Sequence, residues 1–406
     1  MATLHLNRRV FLRGAACSLA AHPLVTTVTL AGSDGGHPLG EHRLIVVILR
    51  GAMDGLDVVQ PLGDPDFAAL RPELGTGVGS LPLDGSFALH PALADLLPLW
   101  TAGDLGFVHA TSTPYRDKRS HFAGQDLLEA GTGMDVPIGR QRDGWLNRML
   151  QAVPGLQAQT AFAVGRAAIP LLSGPAPAMN WAPDQELEMS AATRALMEHI
   201  YHDDDLFRLA SGEAMDLAAA LGPARMDEGA MPKTGGPGAR LAEVNGLVDF
   251  AAARLAEDTR IAAFSLSGFD THRNQSATIA GPLARLQQVI LRMKSALGPQ
   301  IWGNTTLLAM TEFGRTAAEN GTGGTDHGTA GALVMAGGAL RGGRVLGDWP
   351  GLSEAALYAR RDLMPTSDVR SWAGHALREA YGFDRQVLEN AIFPGMRLGE
   401  DARLLR

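Results

Sequence analysis

Apolar residues fall along this chain in two patterns. The first is a set of continuous, β-branched or leucine-rich runs: Arg43–Leu49 (RLIVVIL), Asp104–His109 (DLGFVH), Arg260–Leu266 (RIAAFSL), Thr305–Met310 and Gly331–Ala336, with a shorter one at Ala161–Val164. Runs without polar alternation, bounded by turn residues, predict strands buried on both faces. The second pattern repeats every three or four residues and predicts helices over Pro91–Ala102, Phe122–Glu129, Gly144–Ala152, Ala239–Asp258 and Ser276–Leu297. Residues 58–90 read as loop with short elements, and 222–238 as a flexible connector. Residues 184–221 are helical by pattern and more charged than their surroundings, which predicts an insertion or cap on the main sheet. Strands alternating with helices define an α/β class, a central and mostly parallel sheet with helices on both faces.

The first 31 residues follow a different logic. Asn7–Arg13 (NRRVFLR) pairs two arginines with an aromatic and a leucine, and a mild alanine-rich segment follows. This is the pattern of a twin-arginine export signal, so the twin-arginine export machinery is an expected partner and the periplasm or the exterior the expected location. His22, Pro23 and several threonines argue against a permanent membrane span there, and no later run is long enough to make one. The single cysteine, Cys17, lies inside this segment, which leaves the expected mature chain without a disulfide or a thiol nucleophile. Most of the apolar segment follows Cys17, the reverse of a lipoprotein signal.

Composition narrows the partners. The 406 residues carry a formal net charge of -8, no basic run beyond the N-terminus and only 6% aromatics, which excludes the basic stripe and stacking platform of a nucleic-acid binder.

In an open parallel sheet, functional groups gather beyond the carboxyl ends of the strands. Here those ends lead to Arg50 and Asp54, to Thr113, Arg116, Ser120 and His121, to Asp270 and His272, and to Glu312 and Arg315, with Asp326 and His327 in a glycine-rich loop. Carboxylates and imidazoles arriving from several strands are what a divalent cation requires, whether zinc, manganese, magnesium or calcium. The expected metal shell is Asp54, Asp270, His272, Glu312, Asp326 and His327. Four of these have a plainer role: Asp54 as a turn residue, Asp270 and His272 as a hydrogen-bonded strand cap, Glu312 as a salt-bridge partner of Arg315. Ser120 or Thr113 is the expected nucleophile, although Ser120 also suits a helix cap. Arg315, with Arg50, Arg116 and Arg119, would neutralise a small anionic substrate or ligand. His90, His109, His199, His202 and His375 read as surface, helix or structural histidines.

These segments resemble the DUF1501 family of exported bacterial proteins. The likeness is carried by LIVVILRGAMDGLDVVQPLGDPDFAALRPEL, FALHPALADLLPLW, RSHFAGQDLLEAG, GWLNRML, SLSGFDTHRNQ, TEFGRTAAENGTGGTDHG and PTSDVRSW. It implies one domain over residues 40–406 and a distant place in the alkaline phosphatase and sulfatase superfamily. From that superfamily follow an alkaline phosphatase-like fold, one or two divalent cations and a hydroxyl or modified-cysteine nucleophile. By resemblance, Asp54 matches a metal-binding Asp after the first strand, Asp270 and His272 a later ligand pair, and His327 a final histidine. Phe313 stands where a histidine ligand is expected, and no Cys/Ser-x-Pro-x-Arg signature is present. The expectation is an exported metal-dependent hydrolase of a phosphate or sulfate ester. The alternatives are a non-catalytic exported protein that keeps the fold, and a metal-free serine hydrolase pairing Ser120 with a distant histidine.

Overall fold

A computed structural model of the chain describes residues 37–116, 118–135, 143–165, 169–182 and 237–406. The expected export signal over 1–31 and the helical insertion over 184–221 lie outside the described residues.

The architecture is mixed α/β around a large, mostly parallel sheet. Its strands are β1 (Arg43–Arg50), β2 (Leu105–Ser112), β3 (Ala161–Val164), β4 (Met179–Trp181), β5 (Ile261–Ser267), β6 (Thr305–Met310), β7 (Gly331–Ala336), β8 (Val345–Leu346) and β9 (Ser367–Asp368). They run in the order β8-β2-β7-β6-β1-β5-β3-β4, and β9 also pairs with β2. Strand β1 lies at the centre, parallel to both neighbours, with Val47 opposite Phe264 on β5 and Ala309 on β6. All six apolar side chains of β1, Leu44 to Leu49, are buried. Alternate residues point to opposite faces, so both faces of the sheet are covered. Each such side chain contributes about 1.5–3 kcal/mol on burial, which fixes the strand firmly beneath the polar groups at its carboxyl end.

In this sheet β7 is antiparallel to both β2 and β6. It pairs with β6 only through Val334–Ala336, and on the β2 side its register shifts between Gly331 and Leu333. Ala110 on β2 has a left-handed φ of 52° at that irregularity, the backbone found at the first residue of one type of β-bulge. The carboxyl ends of β2 and β6 are thereby left free to continue upward, β2 into Thr113 and β6 into Thr311–Glu312.

The longer helices among the described residues are α1 (His121–Ala130), α2 (Trp145–Gln151), α3 (Pro237–Leu255), α4 (Ala280–Trp302) and α5 (Val369–Tyr381). The expected helix over Ser276–Leu297 is divided into a turn at Gln275–Thr278 and α4, where Pro282 falls in the first turn and costs no intrahelical bond. The expected helix over Pro91–Ala102 begins instead as a tighter turn, Pro91–Leu96, and becomes α-helical only at Leu97–Ala102, because Leu93 departs from helical φ/ψ. Helix α5 lies outside the helices expected from the hydrophobic pattern. Asp368 caps its start through Arg370 N–H, and Gly382 closes its end at φ 73°.

Candidate metal centre

The segments that follow β2, β5 and β6 bring four side chains together. Asp270, three residues past β5, has its Oδ1 at 3.1 Å from His272 Nε2, 3.3 Å from His327 Nε2 and 3.5 Å from His121 Nε2. The Nε2 atoms of His272 and His327 are 2.9 Å apart. His121, Asp270 and His327 each offer one ligand atom, all within 4.8 Å of one another.

What lies behind each imidazole decides its tautomer. His121 Nδ1 faces Glu312 Oε1 at 2.8 Å, His272 Nδ1 faces Asp326 Oδ1 at 3.2 Å, and His327 Nδ1 faces the Arg119 carbonyl at 2.9 Å. An ionised carboxylate and a carbonyl only accept, so every Nδ1 must donate. A neutral ring then holds a bare lone pair at Nε2, and all three lone pairs meet at the Asp270 oxygen. Four electron-rich atoms at such separations repel unless a proton or a metal cation lies among them. Donors about 2.0–2.2 Å from a tetrahedral zinc stand about 3.3–3.6 Å apart; the separations of His327 and His121 from Asp270 match that spacing, whereas His272 lies closer to both Asp270 and His327 and would move outward slightly around an ion. Histidines backed by carboxylates or carbonyls are also the usual arrangement around such ions.

The local backbone is built to hold this. Ser120 caps α1, accepting weakly from Ala123 N–H at 3.5 Å, and places His121 in the first turn. Gly51, at φ 113°, donates its N–H to Glu312 Oε1 at 3.0 Å, and a Cβ there would lie 2.6 Å from the Asp270 nitrogen. Gly324 packs so closely that a Cβ would lie 2.4 Å from the His272 carbonyl carbon. Phe313 is buried and stacks between Tyr115 and His121, with ring centroids 5.9 and 5.2 Å away.

Charges follow from these contacts. The hydrogen bond to Glu312 raises the His121 pKa above its ordinary value, against partial burial. Burial lowers that of His327. Burial alone would raise Asp270 and Glu312, but both are held below the usual carboxylate range, Asp270 by the hydrogen bond and charge of Arg315, Glu312 by His121 and Gln125. The hydrogen bond from Asn320 lowers Asp326.

Of the residues expected from sequence, Asp270, His272 and His327 meet at the centre. Glu312 and Asp326 stand behind histidines. Asp54 is elsewhere engaged: it is buried, clasped by Arg71 at 2.7 and 3.1 Å, and accepts from Gln275 at 2.7 Å. Thr113 is buried and donates to the Glu312 carbonyl at 2.9 Å. Arg315 pairs with Asp270 at 2.6 Å rather than with Glu312, and also donates to the carbonyls of Gly51, Ala52, Phe269 and Thr325. Enclosed in this way it positions Asp270 and cannot reach a substrate. His121 was not expected as a ligand; its place at the start of the helix after β2 was the signal. Gln125, which donates to Glu312 at 3.0 Å, and Arg71 lie within the stretches that carry the family likeness, but their residue types do not point to a ligand role.

Similarity to solved structures is distant. The lipoteichoic acid synthase LtaP from Listeria monocytogenes is 9% identical with a TM-score of 0.33, over 71% of this chain and 60% of that one, so the chain spans less than two thirds of that protein. A protein in the alkaline phosphatase superfamily from Vibrio parahaemolyticus is 12% identical with a TM-score of 0.36, over 78% of this chain and 64% of that one. The sulfatase PsFucS1 from Pseudoalteromonas sp. is 13% identical with a TM-score of 0.40, over 90% of this chain and 72% of that one. No curated protein matches the sequence. Residues 112–390, more than half of the chain, match the family described as "Protein of unknown function (DUF1501)", and the chain belongs to that family.

Proposed function

We propose that the protein is an exported, metal-dependent hydrolase of phosphate or sulfate esters, with a divalent cation held by His121, His272, His327 and Asp270. The observation that carries this reading is the convergence of three Nε2 lone pairs on one carboxylate oxygen, each ring fixed by an acceptor at Nδ1. When bound, such a cation supplies Lewis-acid polarisation of the ester's phosphoryl or sulfuryl oxygen and stabilises charge as the ester is cleaved. Glu312 and Asp326 keep His121 and His272 in the ligating tautomer, and Arg315 keeps Asp270 ionised. Asp270 and His272 form the side of the cluster open to solvent, with His121 and His327 more enclosed, so a substrate approaches there. Export rests on the Arg8–Arg9 pair; an Arg8→Lys/Arg9→Lys chain that still left the cytoplasm by the twin-arginine route would remove it.

The test is release of phosphate and sulfate from aryl esters by the mature chain supplied in turn with zinc, manganese, magnesium and calcium. Turnover that depends on the metal and disappears in Asp270→Ala supports the reading, and no turnover of any ester with any of the four sinks it. A second reading, a protein that holds the ion without turnover, is favoured by the hydroxyls: Thr113 is bonded to the Glu312 carbonyl and Ser120 caps α1.

A further inference from the structure

Two arginines approach the cluster from its His327 side. Arg119 places its carbonyl 2.9 Å from His327 Nδ1, and Arg361 donates from Nη1 to the His327 carbonyl at 3.0 Å. Their guanidinium groups meet at one carboxylate, Asp362, which is buried and also accepts from Thr329 Oγ1 at 2.9 Å. Arg361 Nη1 is 2.8 Å from Asp362 Oδ1, a full charge-assisted hydrogen bond. Arg119 Nη2 is 3.9 Å from Oδ2, beyond hydrogen-bond reach, and its side chain is 45% exposed. Asp362 therefore faces two cations but is hydrogen-bonded by only one of them, and the charge of Arg361 also acts on Asp326.

The backbone is strained at Arg119 and just before Arg361. Arg119 itself has φ 48°, and the two residues before Arg361, Ala359 and Arg360, have φ 51° and 55°. Side chains rarely adopt this left-handed region, and folds retain it where a position must be held. Other arginines near the centre are committed: Arg315 to four carbonyls and Asp270, Arg71 to Asp54, Arg50 to Glu129 and Gln125.

We propose that Arg119 and Arg361 form a clamp for a tetrahedral oxyanion, the phosphate or sulfate group of the substrate, held against the His121–His272–His327–Asp270 cluster. Guanidinium groups suit this ligand because their planar donors match two oxygens at once. The identity of the anion rests on the hydrolase reading; the existence of the clamp does not.

The test titrates inorganic phosphate and, separately, sulfate into the zinc-supplied mature chain by calorimetry at fixed chloride, with Arg119→Gln, Arg361→Gln and Arg361→Lys beside the wild type. Zinc content is measured on every sample. The expected result is binding about tenfold weaker or more in both glutamine variants, with zinc content unchanged and part of the affinity regained in Arg361→Lys. Preference for phosphate or for sulfate in the wild type then names the ester class. Arg119→Gln leaves the Arg361–Asp362 pair intact, so it tests the clamp even if Arg361→Gln fails to fold. Equal affinity in wild type and Arg119→Gln, or no binding of either anion to the wild type, overturns the proposal. Anion binding weakened in the variants without any ester turnover would sink the hydrolase reading and leave the clamp. Turnover with KM unaltered in Arg119→Gln would do the opposite.

Discussion

His272 Nε2 and His327 Nε2 stand 2.9 Å apart, each with its other ring nitrogen bonded to an acceptor. Two imidazoles in that tautomer have no hydrogen to place between them. The contact is favourable only when a proton or a metal ion joins the pair, and this fixes what removal of the ion should do.

Chelation should lower the melting temperature of the wild type, and adding back a divalent metal should restore it. An ion at a hundred times its Kd stabilises the fold by about 2.7 kcal/mol. The double variant Asp270→Ala/His327→Ala should be indifferent to chelator and hold no ion by elemental analysis. A wild type whose melting temperature ignores both chelator and metal would count against any metal role.

Glu312→Gln should weaken metal affinity by about 10–100-fold, the usual effect of removing a carboxylate behind a ligating histidine. Glu312 is also bonded to Gly51, Gln125 and Thr311, so the variant must first be shown folded by circular dichroism. Metal affinity unchanged in a folded variant would mean that His121 is not a ligand.

Asp54→Ala should separate a structural carboxylate from a ligating one. It leaves Arg71 buried without its partner, a change that costs about 3–5 kcal/mol, so the denaturation midpoint should fall sharply. Metal content should nevertheless stay at the wild-type stoichiometry in whatever fraction is folded. Loss of the metal from folded Asp54→Ala would return Asp54 to the ligand set.

A pH effect is expected away from the centre. His109 is buried, donates from Nε2 to the Val59 carbonyl and accepts at Nδ1 from Ala110 N–H, so it is satisfied as a neutral ring. Burial pushes its pKa down to about 4 from 6.5. Below pH 6.5 the unfolded chain takes up a proton that the fold refuses, so stability falls from there and levels off near pH 4, by roughly 3 kcal/mol for this group. His42, also pushed to about 4 by burial, acts in the same window. Urea midpoints measured from pH 7 to pH 4 should show the fall, and His109→Gln should flatten it without abolishing it. An unchanged slope in the variant would show that His109 titrates normally.

The sheet was legible because its strands are continuous apolar runs. Thr305–Met310 and Gly331–Ala336 begin and end where the hydrophobic pattern does. The two-residue edge strands Val345–Leu346 and Ser367–Asp368 were not, since so few residues carry no period. At the centre, Asp270, His272 and His327 could be read from their place after strands. Which carboxylates face the cluster and which stand behind it could not, because that depends on side-chain direction rather than order along the chain. Glu312 and Asp326 illustrate this, each having the residue type of a ligand and the position of a support. Arg315 is the sharpest case, since the charge three residues away suggested Glu312 as its partner and the fold supplied Asp270.

The enclosed guanidinium of Arg315 has a consequence for motion. Its donors collect carbonyl oxygens from the turns after β1 and β5 and from the loop before His327. These segments are remote in sequence, yet none can swing outward without breaking a bond to the same planar group. Their amides around Ala52, Asp270 and Asp326 should therefore exchange with deuterium as one cooperative unit. The loops at this end of the sheet would then open together or stay shut, like the petals of a single bud.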